Sequence, residues 1–306
     1  MTDPATIALA ADVLLLLGGF GYAAASDLRD REVSDRLWQF LGVAGFLIGF
    51  VPVVPDGAGP TLLWVVVGLF VIQHLFAWDL RLGERAEGYA DLIEVGFYGA
   101  AVAIVLIAVA HWGIGPMAVP VSVLAVLLSV LFARGLFEAG ILYGGADAKA
   151  LMIAALLVPM FPNPWIAQPA GIAPVTAIFP FAVNVLMNAA VFFLAVPVVI
   201  AARNIRAREF RGLSGFVGYT IPVEELPRRY VWVRNPMFGE AREEEKSIET
   251  SEDDRLRRVK IAEVLKSKGI ARVWVTPQIP FLVVMALGVV GTLLVGNVLF
   301  DILFRF

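Results

Sequence analysis

Cysteine is absent from this chain of 306 residues, and histidine is nearly absent, with only His74 and His111. Without cysteine, the chain has no disulfide, no thiolate metal site and no cysteine nucleophile. Two histidines disfavour a histidine-rich metal centre or a serine–histidine triad, so neither a metal nor a cofactor is expected. Carboxylates therefore remain the main acid and base groups for chemistry in the apolar part of the chain.

Charged residues are also scarce, at 17% of the chain against 59% hydrophobic residues, and the mean hydropathy is +0.80. A soluble domain cannot bury so much apolar surface, so the composition predicts an all-α polytopic membrane protein. No Lys or Arg precedes the first apolar run, which therefore lacks the start of a signal peptide and is expected to be a retained helix. About eight transmembrane helices are predicted, at 5–26, 37–54, 61–78, 95–112, 117–137, 148–161, 175–201 and 278–300.

Lys and Arg are missing from every second loop between these predicted spans. If the spans alternate in direction, 23 of the 24 Lys and Arg residues fall on one side, and only Arg305 falls on the other. The positive-inside rule then places the N-terminus outside the cell and the segment 202–277 in the cytoplasm. The spans themselves are expected to lack charges near mid-helix.

The segment 202–277 is the one long polar stretch, with 16 basic and 12 acidic residues. Its sequence predicts a small cytoplasmic α+β subdomain, with strands at 220–221, 230–233 and 273–275. A charged helix is predicted over 240–268, with Ile261, Val264 and Leu265 as its apolar stripe. The basic surplus suits membrane lipids of the anionic inner leaflet, and no nucleic-acid motif is present. The predicted domains are a membrane core at 1–201, this subdomain at 202–277 and a last helix at 278–306.

Two aspartates stand beside apolar runs on the predicted cytoplasmic side. Asp147 lies in the stretch Tyr-Gly-Gly-Ala-Asp-Ala-Lys, residues 143–149, and Asp27 closes the first run. An ionisable residue at membrane depth is by default a functional-site hypothesis. Two carboxylates within a few ångströms cannot both ionise easily, so they share a proton and provide a general base and a general acid for one water. Such a pair hydrolyses a peptide bond without a metal or a covalent intermediate.

The residues leave alternatives open around both aspartates. Asp30 and Asp35 share the loop that follows Asp27 and can take its role. Asp147 can instead serve as the N-cap of the sixth span, because Asp is a favoured capping residue. Gly144 and Gly145 give the backbone freedom to bend. Lys149 is expected to tune Asp147, with an anchor that faces lipid phosphates at the inner interface as the alternative. Asn184 and Asn188 share one face of the seventh span, which favours hydrogen bonds between helices.

Two motifs resemble those of the type IV prepilin peptidases. Asp27, Arg31 and the triplet Val33-Ser34-Asp35 resemble the first motif, in which a basic residue and an Ile-Pro-Asn-like triplet follow the aspartate. Residues 144–149 resemble the Gly-x-Gly-Asp-x-Lys motif, with alanine in place of the second glycine. The archaeal branch is most similar, namely the preflagellin and prepilin peptidases, which are intramembrane aspartyl proteases. The 120 positions between the aspartates exceed the spacing in compact six-span members and fit one additional hairpin.

The resemblance implies an activity and a substrate. It implies an aspartic endopeptidase that cuts the short basic leader of archaellin or pilin precursors at the cytoplasmic edge of their apolar helix. Asp27 and Asp147 would be catalytic, while Gly144, Gly145, Lys149 and Asp35 would shape and support the site. A transporter, which would carry ionisable residues near mid-bilayer, remains an alternative. A non-enzymatic assembly subunit and a presenilin-like protease are further alternatives, although the presenilin motifs are missing.

Overall fold

The computed structural model describes residues 3–77, 119–142, 144–160, 179–233 and 251–305, together with single helical positions between 96 and 110. These residues are mostly helical and divide into two compact units, one of residues 1–191 with 281–306 and one of residues 192–280. The domain boundaries expected at 201 and 278 stay predictions. The fourth predicted span, 95–112, lies mostly outside the described residues.

The helices are α1 (Pro4–Asp30), α2 (Asp35–Ile48), α3 (Phe50–Val53), α4 (Ala58–Ala77), α5 (Val119–Glu138), α6 (Gly145–Leu157), α7 (Phe181–Phe193), α8 (Ala195–Arg206), α9 (Ser251–Ser267), α10 (Phe281–Leu294) and α11 (Val298–Arg305). The strands are β1 (Tyr219–Pro222), β2 (Val231–Val233) and β3 (Arg272–Pro277).

Four stretches of the described residues are helical, long and apolar enough to cross a membrane. They are Pro4–Asp30, Asp35–Asp56, Ala58–Phe76 and Phe181–Arg206, and they correspond to the first, second, third and seventh predicted spans. The helical class of the membrane part is thus confirmed. The total of eight spans and the side of the membrane that each loop faces stay predictions.

The last predicted span, 278–300, is not a single helix. It consists of α10 and α11, which are separated at Gly296, where the backbone is left-handed with φ of 94°. The side chain of Asn297 then begins α11, because its Oδ1 accepts the N–H of Phe300 at 3.1 Å. A glycine that adopts positive φ, followed by a capping asparagine, ends one helix and starts the next despite the apolar composition.

Helix α6 lies at the centre of the first unit. It contacts α1, α2, α4, α5 and α10, and every residue from Ala148 to Leu157 is buried. A helix that is apolar on all sides must be covered on all sides, which explains this central position. Its 13 residues span about 20 Å at ~1.5 Å per residue, and burial begins directly after the first three residues, which are partly accessible.

Buried asparagines join α7 to the end of α10. The Nδ2 of Asn188 donates to Thr292 Oγ1 at 2.8 Å and to the carbonyl of Gly296 at 2.7 Å. Asn297 Nδ2 donates to Asn184 Oδ1 at 2.8 Å. The predicted role of these two α7 asparagines in bonds between helices is confirmed. The network ties together the helices that precede and follow the second unit in the sequence.

The second unit contains a three-stranded antiparallel sheet in the order β1-β3-β2, with α9 packed beside it. All three predicted strands are confirmed. The predicted charged helix is described from Ser251, and its first part, 240–250, lies outside the described residues. Leu265 is fully buried and Ile261 packs against the core, but Val264 is 41% exposed, so its assignment to the apolar stripe is wrong. Ala262, with the smaller side chain, is buried instead.

Candidate active site

Asp27 lies in the last turn of α1. The helix ends because Arg31 adopts a left-handed conformation with φ of 61° and donates its backbone N–H to the carbonyl of Asp27 at 3.2 Å. The side chain of Asp27 turns towards the first turn of α10, where its Oδ2 accepts the N–H of Leu282 at 3.1 Å. The first backbone N–H groups of a helix have no carbonyl partner within the helix, and the N–H of Leu282 is one of them. Asp27, on α1, therefore caps the start of α10.

Asp147 lies in the first turn of α6. The N-cap of this helix is Gly144, which is extended with φ of −101° and ψ of 128°, so the alternative that Asp147 is itself the N-cap is wrong. The carboxylate of Asp147 folds back and accepts a hydrogen bond from the backbone of Gly144. This contact is the second half of a capping box, in which the third helical residue bonds to the capping residue.

Gly144 is required by this fold-back. A Cβ atom at position 144 would lie 2.9 Å from Oδ2 of Asp147 and 3.3 Å from its Cγ. Contacts this short force the carboxylate away, so only glycine leaves it in place. Gly145 follows as the first residue of α6, and Tyr143 lies outside the described residues.

The two aspartates are brought together although 120 positions separate them. Helices α1 and α6 are in contact, and the carboxylates of Asp27 and Asp147 are close enough to interact electrostatically. Both side chains are only partly accessible. Two neighbouring carboxylates in a partly accessible site can act as an acid and a base.

The neighbouring carboxylates have other contacts. Asp35 begins α2 and accepts a hydrogen bond from Lys149 Nζ at 2.7 Å. Lys149 is only 3% exposed, whereas the side chain of Asp35 is 40% exposed. Asp30 is exposed and pairs with Arg29 at 2.8 Å. Of the three aspartates between positions 27 and 35, Asp27 is thus the one found beside Asp147, and Asp35 links the two motifs through Lys149.

One buried carboxylate was missed by the sequence analysis. Asp12 lies inside α1 and is 9% exposed, so the expectation that the spans lack internal charges is wrong. Its Oδ1 has no hydrogen-bond partner among the residues that the structure describes. Asp12 lies on the same helical stripe as Leu16, Phe20, Ala23 and Asp27, about 22 Å from Asp27 along the axis at ~1.5 Å per residue. A lone aspartate in an apolar run was the signal that could have identified it.

No group of three or more His, Cys, Asp or Glu side chains that could hold a metal ion occurs within the described parts of the chain. The arrangement consists instead of two carboxylates, a glycine cap and one buried lysine–aspartate pair. Its chemical capacity is to bind a water and to exchange protons with it.

Comparisons with known proteins agree with the motifs. Residues 213–298 match the family model described as Archaeal Peptidase A24 C-terminus Type II. The chain is also similar to a preflagellin peptidase of Methanococcus maripaludis strain C6, with 23% identity over 296 residues, which cover 95% of this chain and 98% of the relative. These two similarities support an archaeal preflagellin or prepilin peptidase and indicate a protease, consistent with the aspartic endopeptidase that the motifs predict.

Proposed function

We propose that this protein is a membrane aspartic endopeptidase that removes the basic leader of archaellin precursors, type IV pilin-like precursors or both, at the cytoplasmic face of the membrane. The observation that carries the proposal is the approach of Asp147 to Asp27 across 120 positions of sequence. The similarity to a preflagellin peptidase along nearly the whole chain supports the same class of substrate.

The pair of carboxylates would act on one water. The ionised carboxylate takes a proton from the water while the oxygen of the water adds to the carbonyl carbon of the scissile peptide bond. The protonated member gives its proton to the carbonyl oxygen, which becomes a hydroxyl of the tetrahedral intermediate. The carboxyl group that took the proton of the water then gives it to the amide nitrogen, and the carbon–nitrogen bond breaks to release an amine. The other carboxylate takes a proton back from a hydroxyl of the intermediate, which becomes the new carboxylic acid end. No covalent bond to the protein forms, and both carboxyl groups return to their starting protonation.

The surrounding residues would set the geometry of this pair. Gly144 leaves the space that the Asp147 carboxylate occupies, and Gly145 starts α6 directly after it. The ion pair of Lys149 with Asp35 fixes the first turn of α6 against the start of α2. Reacting groups must be held within fractions of an ångström, so such supports contribute to rate without touching the substrate.

The substrate would approach from the cytoplasm. The distribution of Lys and Arg supports this side for both aspartates, where the apolar helix of a precursor would emerge. Glu32 is exposed in the loop that follows Asp27, and its charge would attract the Lys and Arg of a leader.

Cleavage of precursors by membranes that contain the protein tests the proposal. Parent, Asp27→Asn and Asp147→Asn proteins are compared at equal expression on an archaellin and a pilin precursor with basic leaders. Asp30→Asn is the matched control, because this carboxylate belongs to the same loop but is exposed and paired with Arg29. We expect both dyad variants to lose roughly 1,000-fold or more in rate, and the control to stay within about twofold of the parent.

The outcome also separates the alternatives. Full activity of either dyad variant would remove that residue from catalysis and return attention to Asp30 or Asp35. Mass spectrometry of the products locates the cut, and a cut inside the apolar helix would favour a presenilin-like protease. No cleavage by the parent protein on several leaders would reject the peptidase and favour a transporter or an assembly subunit.

A further inference from the structure

An exposed loop of the second unit combines apolar and basic side chains. It comprises residues 207–217, directly after α8, and is called the 207–217 loop. Leu213 is 87% exposed, Val217 45%, and Phe210 and Phe216 are 40% exposed each. Large apolar side chains clustered at the surface mark a site that contacts a membrane, another protein or a ligand.

Hydrogen bonds hold this loop in one conformation. Asn204 in α8 is 1% exposed, and its Nδ2 donates to the carbonyls of Gly215 and Gly218, at 2.7 Å each. Gly212 supplies a left-handed turn with φ of 56°, and Ser214 Oγ donates to the carbonyl of Arg211 at 2.7 Å. The loop is therefore tied back onto the end of α8, and Leu213 is held outwards rather than folded against the unit.

Contacts with the sheet of the same unit add to this fixation. The guanidinium of Arg203 lies 3.6 Å from the ring centroid of Tyr219, the first residue of β1. Glu209 accepts a hydrogen bond from Arg272, at the start of β3, at 2.8 Å. Cation–π contacts and ion pairs of this kind position a loop with little freedom left to lose on binding. The apolar side chains are therefore already held at the surface before any binding takes place.

The position and the charge of the 207–217 loop indicate that it contacts a membrane. The candidate membrane span Phe181–Arg206 ends at the residue before the loop, so the loop emerges where this span leaves the apolar core. Arg206 and Arg208 are exposed beside the apolar side chains. Aromatic and aliphatic side chains flanked by arginine are the composition of an interfacial anchor, which buries its apolar part among acyl chains and pairs its charges with anionic headgroups.

We propose that the 207–217 loop is a membrane anchor that inserts Leu213, Phe210 and Phe216 into the headgroup boundary of an anionic leaflet. The anchor is independent of the proteolytic function. It fixes the second unit to the membrane surface next to α8, and its arginines select lipids with negative headgroups.

The absence of cysteine permits a direct test. Leu213→Cys in the full-length protein carries a spin label, and the depth of the label in a bilayer is measured by power saturation with oxygen and a water-soluble nickel chelate. Leu256→Cys is the matched control, because Leu256 is also a leucine of the second unit and is 56% exposed on α9. The protein is reconstituted into vesicles of phosphatidylcholine, with or without phosphatidylglycerol.

We expect the label at 213 to lie below the headgroups, accessible to oxygen and shielded from nickel, and the label at 256 to be in water. Phosphatidylglycerol should deepen the label at 213, and Arg206→Gln with Arg208→Gln should abolish that difference between the two membranes.

A label at 213 as accessible to nickel as the one at 256 would overturn the proposal. So would an immobilised label that neither reagent reaches, since it would indicate a protein partner. A depth unchanged by phosphatidylglycerol would overturn the selection of anionic lipid.

Discussion

The two aspartates of the candidate site are held in place in opposite ways. Asp27 ends a helix, and its carboxylate is fixed by the backbone of Leu282, which lies 255 positions away in the sequence. Asp147 begins a helix, and its carboxylate is fixed by Gly144, three residues before it. The first position depends on the assembled fold, whereas the second is specified locally. Substitutions should therefore act on the two aspartates through different routes.

The largest effect on stability is expected from the ion pair that joins the two motifs. Asp35→Asn leaves Lys149, which is 3% exposed, without the carboxylate 2.7 Å from its Nζ. We expect a loss of about 2–3 kcal/mol in the free energy of unfolding, below the upper end for fully buried pairs because Asp35 is partly exposed. Cleavage should fall by more than tenfold, measured beside thermal unfolding of the purified protein.

A double variant separates stability from positioning in this ion pair. Asp35→Asn with Lys149→Met removes both charges and keeps the buried volume, so much of the stability should return. If Lys149 positions Asp147, cleavage should stay low in the double variant although the fold is restored. Recovery of full cleavage together with stability would show that the pair is structural only.

The next effect concerns the locally specified aspartate. Gly144→Ala places a Cβ atom 2.9 Å from Oδ2 of Asp147, so the carboxylate must move by a fraction of an ångström or more. We expect kcat to fall by about 10- to 100-fold with KM nearly unchanged, because the acid–base geometry is altered and the substrate surface is not.

A glycine in open space provides the control for this substitution. Gly135 lies within α5, and a Cβ atom added there meets no other atom within 4 Å. Gly135→Ala should leave kcat unchanged and raise helix stability by up to about 1 kcal/mol. Equal losses of kcat at both glycines would contradict the specific role of Gly144.

The contrast between the aspartates also explains how much could be predicted from the sequence. The second motif and the start of its helix were predictable, because the capping of a helix start involves only residues that are close in the sequence. The fold class, the three strands and the apolar nature of α6 follow from periodicity and composition, which are also local. The contact of Asp27 with α10 could not be predicted, since it depends on how distant helices pack.

The misassigned features have the same origin. Val264 has the right spacing for a core position, but the smaller Ala262 faces the core because packing against the sheet sets the rotation of α9. The break at Gly296 was hidden because apolar residues surround it, and hydropathy averages over a single glycine with positive φ. Asp12 was missed since one carboxylate barely changes the hydropathy of a long apolar run.

A smaller effect is expected at the end of α1. Arg31 adopts a left-handed conformation that glycine adopts more readily, and its charge acts on Asp27. Arg31→Gly should therefore relax the backbone by about 1 kcal/mol and still lower cleavage, by about five- to tenfold, because a positive charge beside the dyad is lost. Arg31→Lys keeps the charge and should retain cleavage. A loss of cleavage in both variants would contradict a role for charge.

The smallest effect is expected at Asp12, which shares a helix face with Asp27 but lies about 22 Å from it at ~1.5 Å per residue. Its Oδ1 accepts no hydrogen bond from the described residues, and a buried polar group without a partner costs about 1–3 kcal/mol. Asp12→Leu should raise the midpoint of thermal unfolding by a few degrees and leave cleavage unchanged, whereas Asp12→Asn, which stays polar, should raise it less. Loss of cleavage at an undiminished unfolding temperature would make Asp12 part of the working site. Asp12 would then depend on the packing of distant helices for its role, as Asp27 does.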